Sequence, residues 1–511
     1  MAGLGMVCGS EAADPPNVLF LAVDDMKDWV NCLGGYEGTV KTPHIDRLAS
    51  QGMLFTNAHC ASPKCAPSRA AIMTGLRPST TGLYDNGHWW LPNHPEILTL
   101  PVYFKSLGYD VLGAGKIFHH TAGNNPPNQW DDFQRLLFRN DPWFRGSKKN
   151  YPWSRVEGFP PDFPFSNVSG LGHENDWGSL AIEDEQYDDA LTAQYAIDFL
   201  EGRGPSLEKR GRPFFLACGI FRPHLPWYVP KEFFELYPAG EVVLPRVLEG
   251  DLDDIPVPGK AFAKAREADL ENIREAGRYR EAVRAYLASI SYADYQIGRV
   301  LRALDSSPYT KNTIVVLWSD HGWHLGEKGH WHKTTLWEEA TRVPFIWRVP
   351  GMSPGQSNAP VSLLDIFPTF VDLCGEDAGA ASKLEHLAAH QKQLDELDGE
   401  SLMPLLRNAS SIRMTPAVIE FRRGNAAIRS GRFRYIRYAD GSEELYDHKA
   451  DPYEWQNLAS NEQLQPTKDL LAESLPNSWA QDAETKSAFE FDPESFRWKH
   501  KASGRVIDGY R

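Results

Sequence analysis

Four short apolar runs dominate the sequence, and each passes directly into polar residues. They are "NVLFLAV" before Asp24-Asp25, "DVLGA" before "GKIFHH", "PFFLACGI" before "FRPH" and "NTIVVLW" before "SDHG". A run that stays apolar without alternating is buried on both faces, which predicts strands of a parallel sheet covered by helices. Ligands bind at the carboxyl ends of such strands. All four polar clusters occupy that position, so one shared site is expected there.

The intervening segments fit this architecture. "TPHIDRLASQG" predicts a helix capped by Thr42, with Pro43 first and Gly52 as its stop. Residues 281–304 carry Val283, Tyr286, Leu287, Ile290, Ile297, Val300, Leu301 and Leu304 at helical spacing, predicting a long amphipathic helix. The segment from about 121 to 180, rich in Trp, Pro, Asn and Gly, reads as a surface excursion at the substrate mouth. Residues 376–396 read as an exposed helix leading to a boundary near 411. Beyond it, "AAIRSGRFRYIRYADGSEELYDH" predicts a hairpin turning at Ala439-Asp440-Gly441. A catalytic domain over 15–411 and a smaller α+β domain with an antiparallel sheet over 412–511 are therefore expected.

A net charge of −15 argues against nucleic acid as the main partner, since phosphate binding needs a basic face. No apolar run is long enough to cross a bilayer. Six cysteines form neither a disulfide framework nor a paired metal knuckle. The opening stretch has no basic n-region, and Ser10-Glu11-Ala12 resembles a small-x-small cleavage site. It reads as the clipped end of a leader, which makes a periplasmic or secreted location the expectation.

Asp24-Asp25 and Asp320-His321 place three carboxylates and an imidazole on two strand ends. Such a set suits a hard divalent cation such as Ca2+ or Mg2+, against the alternative of solvated strand ends. Lys116, His119, His224 and Lys333 are basic groups at or just past strand ends, and with Arg69 they would balance a metal-bound anion and donate protons. "CAPSRAAIMTG" predicts a helix with Pro67 first and Gly75 last, leaving Cys65 just ahead of its amino terminus. Three readings of Cys65 stand side by side: an inert buried thiol, a thiolate activated by the helix terminus and Arg69, or a modified residue. After this helix, "GLYDNGHWW" offers Asn86, His88, Trp89 and Trp90 as sugar contacts, the alternative being that the tryptophans are core. "FRRGNAAIRSGRFRYIR" carries six arginines and no acid, and reads as an exposed hairpin face in preference to a polyanion groove.

At "CAPSR" the chain resembles the type I sulfatases, whose cysteine in this pattern becomes formylglycine. The resemblance runs from about Pro16 to Leu458. "NVLFLAVDD", "TPHIDRLASQGMLFTNAH", "GKIFH", "FRPHLPW", "SISYADYQIGRVLRAL" and "SDHGWHLGEKGHWHK" are most similar to the iduronate-2-sulfatase branch, and "ELYDHKADPYEWQNLAS" resembles the end of the second domain. It implies an alkaline-phosphatase-like fold, a large mixed sheet between helices plus a smaller carboxyl-terminal sheet domain. It implies Ca2+ on Asp24, Asp25, Asp320 and His321 with the modified Cys65, and maturation by a formylglycine-generating enzyme. His321 stands where many sulfatases have Asn. In the implied reaction a formylglycine hydroxyl, deprotonated with help from Asp320, attacks sulfur. Arg69, Lys116 and Lys333 neutralise the sulfuryl oxygens, His224 with Lys333 protonates the sugar oxygen, and His119 assists the second hydroxyl. The expected substrate is a sulfated sugar, of uronic acid or fucose type, that loses its sulfate at a chain end. The rivals are a phosphodiester or phosphonate monoester hydrolase of the same fold, a zinc phosphatase, and a non-catalytic glycan-binding relative.

Overall fold

In the computed structural model, which describes residues 14–134, 165–171, 175–180, 187–205, 211–375 and 387–511, the four apolar runs are adjacent strands. They are β1 (Asn17–Val23), β3 (Asp110–Gly115), β5 (Phe214–Ile220) and β6 (Thr313–Ser319). With β2 (Met53–Phe55), β4 (Asp132–Gln134), β7 (Phe345–Arg348) and β8 (Gly355–Ser357) they form one sheet in the order β8-β2-β7-β6-β1-β5-β3-β4. Only β7 runs antiparallel to its neighbours, so the sheet is mixed.

Successive side chains of a strand point to opposite faces, and here both faces are covered. Val18, Phe20, Ala22, Phe215 and Trp318 pack toward α2 (Cys65–Thr74) and α5 (Ile366–Cys374). Leu19, Leu21, Val23, Leu216 and Leu317 face the other core, under α1 (Pro43–Gln51), α3 (Asp188–Leu200) and α4 (Tyr279–Ser306). All eight apolar positions expected along α4 are buried.

Register aligns the chemistry. Val23 lies level with both Ile220 and Ser319, and Gly115 with Gly219, so four strands end together. Gly115 makes this possible: its φ is 73° and a Cβ there would sit 2.1 Å from the Gly219 carbonyl oxygen.

Several local expectations are corrected. The Thr42 hydroxyl does not cap α1; it accepts from the Asn31 N–H and donates to Asp46. Gly52 is extended, and glycine is needed because a Cβ would meet the Trp347 carbonyl at 2.3 Å. Helix α2 begins at Cys65 itself, which puts Pro67 third; Gly75 ends it in the left-handed conformation, as expected. In the described part of 121–180, Trp130 and Trp177 are core residues, while most of that excursion lies outside the described residues. So do Ser10-Glu11-Ala12 and most of the exposed helix expected over 376–396. Among the described residues five cysteines are free, and no helix is long and apolar enough to cross a membrane.

The carboxyl-terminal domain carries an antiparallel sheet of β9 (Ala417–Glu420), β10 (Ala426–Arg429), β11 (Phe433–Arg437) and β12 (Glu443–Asp447), turning near Gly441 as expected. Its arginines are not one exposed face. Arg429 and Arg434 are buried and reach Glu338, with Arg434 also on Glu454 and the Leu336 carbonyl. Arg422, Arg423, Arg432 and Arg437 stay exposed. A second small sheet, β13 (Phe489–Asp492), β14 (Arg497–His500) and β15 (Val506–Asp508), packs on Trp89.

Candidate active site

Cys65 is the first residue of α2, 1% exposed, at the level of the aligned strand ends. The orphan N–H of Ala66 beside it is taken by the side-chain oxygen of Asn86 at 2.9 Å. Lys333 donates to the Cys65 sulfur at 3.1 Å and to Asp25 Oδ1 at 2.6 Å. Burial works against the Lys333 charge, but Asp25 and Cys65 raise the ammonium above its ordinary range. His321 Nε2 lies 3.3 Å from the sulfur and 3.4 Å from Asp25 Oδ1.

Asp24, Asp25, Cys65 and His321 each bring a donor atom to a common point, all four within 4.8 Å of one another. Burial pushes Asp25 up to about 7 and raises Asp24 as well, because two carboxylates share a water-poor site with Asp320 close by. Asp25 Oδ2 is buried with no hydrogen-bond partner among the described residues. His321 Nδ1 faces the Gly322 carbonyl at 3.1 Å, which assigns the proton to Nδ1 and leaves the Nε2 lone pair aimed at the cluster. Burial depresses this imidazole, so it is neutral. An orphaned Asp25 carboxylate oxygen, the Asp24 carboxylate, the Cys65 position and a correctly turned imidazole fit a divalent cation.

Asp320 sits beside this group with its oxygens engaged: Oδ1 accepts the Asp25 N–H at 3.1 Å and Oδ2 the Arg69 Nε–H at 2.7 Å. Despite burial, Arg69 holds its carboxyl well below the usual range. Arg69 is likewise fully used. Its remaining N–H groups reach the carbonyls of Lys116, Ile117 and Val23 and Asp24 Oδ1, so it braces the strand ends and has no donor left for an anion. Lys116 pairs with Asp24.

The other expected groups approach from β3 and β5. His224 turns Nδ1 to the Leu225 carbonyl and Nε2 toward Asp25 Oδ2, 3.8 Å away. His119 is buried, and burial, then Lys116, keeps it far below the ordinary imidazole range. It lines a small cavity with Ala66, Asp85, His88, Trp90 and Asn124. Trp89 is core, its indole N–H on the Ala122 carbonyl at 2.7 Å; Trp90 stacks on Phe118 and donates to the Asn124 carbonyl at 3.0 Å. His88 is 6% exposed and leaves Nδ1 unpartnered among the described residues.

Two features carry no sequence signal. Asp25, His332 and Thr334 adopt positive φ of 60°, 99° and 78°. Strain of this kind is held where neighbours fix the chain, and the Thr334 N–H is tied to the Pro63 carbonyl at 3.1 Å. Ser68 is the second: its hydroxyl donates to the Asp320 carbonyl at 2.7 Å and joins α2 to β6.

The family model described as "Sulfatase" matches residues 16–376, and that described as "N-sulphoglucosamine sulphohydrolase, C-terminal" matches 326–481. The chain is a member of the sulfatase family. It is thus a sulfuric ester hydrolase. This sulfatase is 37% identical to a "Sulfatase" of Formosa agariphila over 93% of its own chain and 90% of that protein. It is 33% identical to iduronate 2-sulfatase of Homo sapiens over 81% of this chain and 74% of that protein, which supports the branch read from its motifs. The phosphonate monoester hydrolase of Silicibacter pomeroyi shares the fold, with a TM-score of 0.69 at 23% identity over 97% of this chain and all of that one. That likeness concerns the fold alone.

Proposed function

We propose that this sulfatase removes sulfate from a terminal sulfated sugar, of uronic acid or fucose type, using Cys65 as formylglycine and one divalent cation, Ca2+. The observation that carries the reading is the meeting of Cys65, Lys333, His321 and Asp25 at the end of β1, where the helix terminus and two lysines face a buried anionic cluster. The substrate class rests on the likeness to iduronate 2-sulfatase.

Hydrated formylglycine would supply a geminal diol: one oxygen, its proton lost to solvent, would bond to sulfur as the sulfur–sugar oxygen bond breaks, and the second hydroxyl would then pass its proton to the departing sulfate as the aldehyde re-forms. The cation would be held by Asp24, Asp25 and His321 with Asp320 adjacent, and would supply positive charge for the sulfuryl oxygens. Lys333, on the sulfur and Asp25 together, meets both nucleophile and sulfuryl group, and Lys116 approaches from the other side. Arg69 and Asp320 hold this geometry without touching substrate. With Nδ1–H on a carbonyl, His224 presents Nε2 to the pocket, and acting as general acid requires a second proton there, which Asp25 favours. His119 is the neutral group left to attend the second hydroxyl. Because Cys65 is 1% exposed, the formylglycine-generating enzyme must reach it before α2 packs. We place the domain division at residue 411, where the irregular stretch 411–416 leads into β9.

Turnover of an aryl sulfate, an aryl phosphodiester and defined sulfated oligosaccharides tests this. Sulfate release from the aryl sulfate and from one terminal residue is expected. A preference for the phosphodiester would overturn the reaction, and rapid release from internal residues the exo-acting pocket.

A further inference from the structure

The segment after the four-stranded sheet runs back over the catalytic domain. Its Lys486 N–H donates to the Gly87 carbonyl at 2.7 Å, and Ala480 and Ala483 bond to Ser79 and Gly82 in the same way. This places the Lys486 ammonium 2.8 Å from the hydroxyl oxygen of Thr121. The same oxygen receives the side-chain N–H of Asn124 at 2.9 Å, whose amide is oriented by its second donor bond to the Thr121 carbonyl. It also lies 2.9 Å from His119 Nδ1.

A hydroxyl has two lone pairs and one hydrogen. An ammonium and an amide N–H only donate, so together they fill both lone pairs. The hydroxyl hydrogen is left for His119, and Nδ1 must be the acceptor. Burial lowers Lys486 to about 8, so the ammonium remains the major form at neutral pH. A neutral imidazole accepting at Nδ1 carries its proton on Nε2. No partner for Nε2 exists among the described residues.

We propose that the carboxyl-terminal segment, through Lys486 and Thr121, holds His119 as its Nε2–H tautomer, so that the ring serves the formylglycine reaction as a hydrogen-bond donor and not as its base. Lys486 is a positioning residue: its ammonium bonds the Thr121 hydroxyl and lies over the Trp89 ring, 5.6 Å from the centroid. The proposal rests on the reaction given above for the role of His119, but the tautomer itself does not depend on that reaction. The sequence alone hides the arrangement, since Lys486 is 365 residues from Thr121.

Nitrogen-15 NMR of histidine-labelled resting enzyme tests the tautomer, with the His119 signals assigned by their loss in His119→Gln. A protonated Nε2 beside an unprotonated Nδ1 is expected, and a protonated Nδ1 would overturn the proposal. In Lys486→Met these signals should move toward the average of the two tautomers, and Lys486→Arg should restore them. Unchanged signals in Lys486→Met would remove the carboxyl-terminal segment from the account. The glutamine amide keeps a donor where Nε2 stood, so His119→Gln should retain at least about tenfold more kcat than His119→Ala. Equal losses would rule out the donor role. The spectra report on resting protein, so an error in the assigned reaction would leave them as expected while abolishing sulfatase turnover in the parent enzyme.

Discussion

Replacing His224 by alanine separates leaving-group protonation from sulfate binding. The ring is fixed by its Nδ1 bond to the Leu225 carbonyl and by packing on Phe221, with ring centroids 4.6 Å apart. Only Nε2 is directed into the pocket, toward Asp25, and the side chain is 14% exposed, so water replaces it poorly. A positioned general acid contributes about a hundredfold to ten-thousandfold, which at about 1.4 kcal/mol per decade is about 3–5 kcal/mol. His224→Ala should therefore lower kcat/KM on an alkyl sugar sulfate by that factor. An aryl sulfate with a stable phenolate needs no proton and should lose less than about tenfold. The assay is paired steady-state kinetics on the two substrates with parent and variant. Equal losses on both would refute the argument and assign His224 to the sulfuryl group.

Arg434→Met should destabilise the fold by about 3–5 kcal/mol, because Glu338 and Glu454 stay buried without their partner; a loss below about 1 kcal/mol in chemical denaturation would contradict the buried network. Its kcat should fall too, since Glu338 follows closely on the Lys333 loop. Chelator-treated protein should melt at a lower temperature and recover on adding Ca2+, by about 2.7 kcal/mol at a hundredfold excess over Kd. Asp25→Asn should abolish that recovery, and an unchanged melting temperature in chelator would contradict the cation site.

The strand ends were legible because the chemistry there follows apolar runs that only a covered sheet accommodates. From Val23 to Asp24, or Trp318 to Ser319, polarity changes within one residue, and the aligned register converts that change into a site. Helix α4 was legible for the same reason, its buried face repeating every turn. Sequence failed where a residue's partner lies far along the chain. Thr42 carries a capping side chain, yet Asn31 and Asp46 claim it. The arginines of β10 and β11 look like a solvated face until Glu338 and Glu454 are brought beneath them. Trp89 resembles a sugar platform until Phe491 and Trp498 close over it. Nor does the sequence show that five acceptors from three strand ends engage all the donors of Arg69.

The central claim is that Cys65, at the head of α2 and against Lys333, acts as formylglycine. Peptide mass spectrometry of active enzyme, fractionated by specific activity, tests it most directly. The Cys65 peptide should carry a carbonyl in place of the thiol, activity should rise in proportion to that fraction, and Cys65→Ala should be inactive. Full activity in Cys65→Ala, or in a preparation whose Cys65 is entirely thiol, would contradict the account.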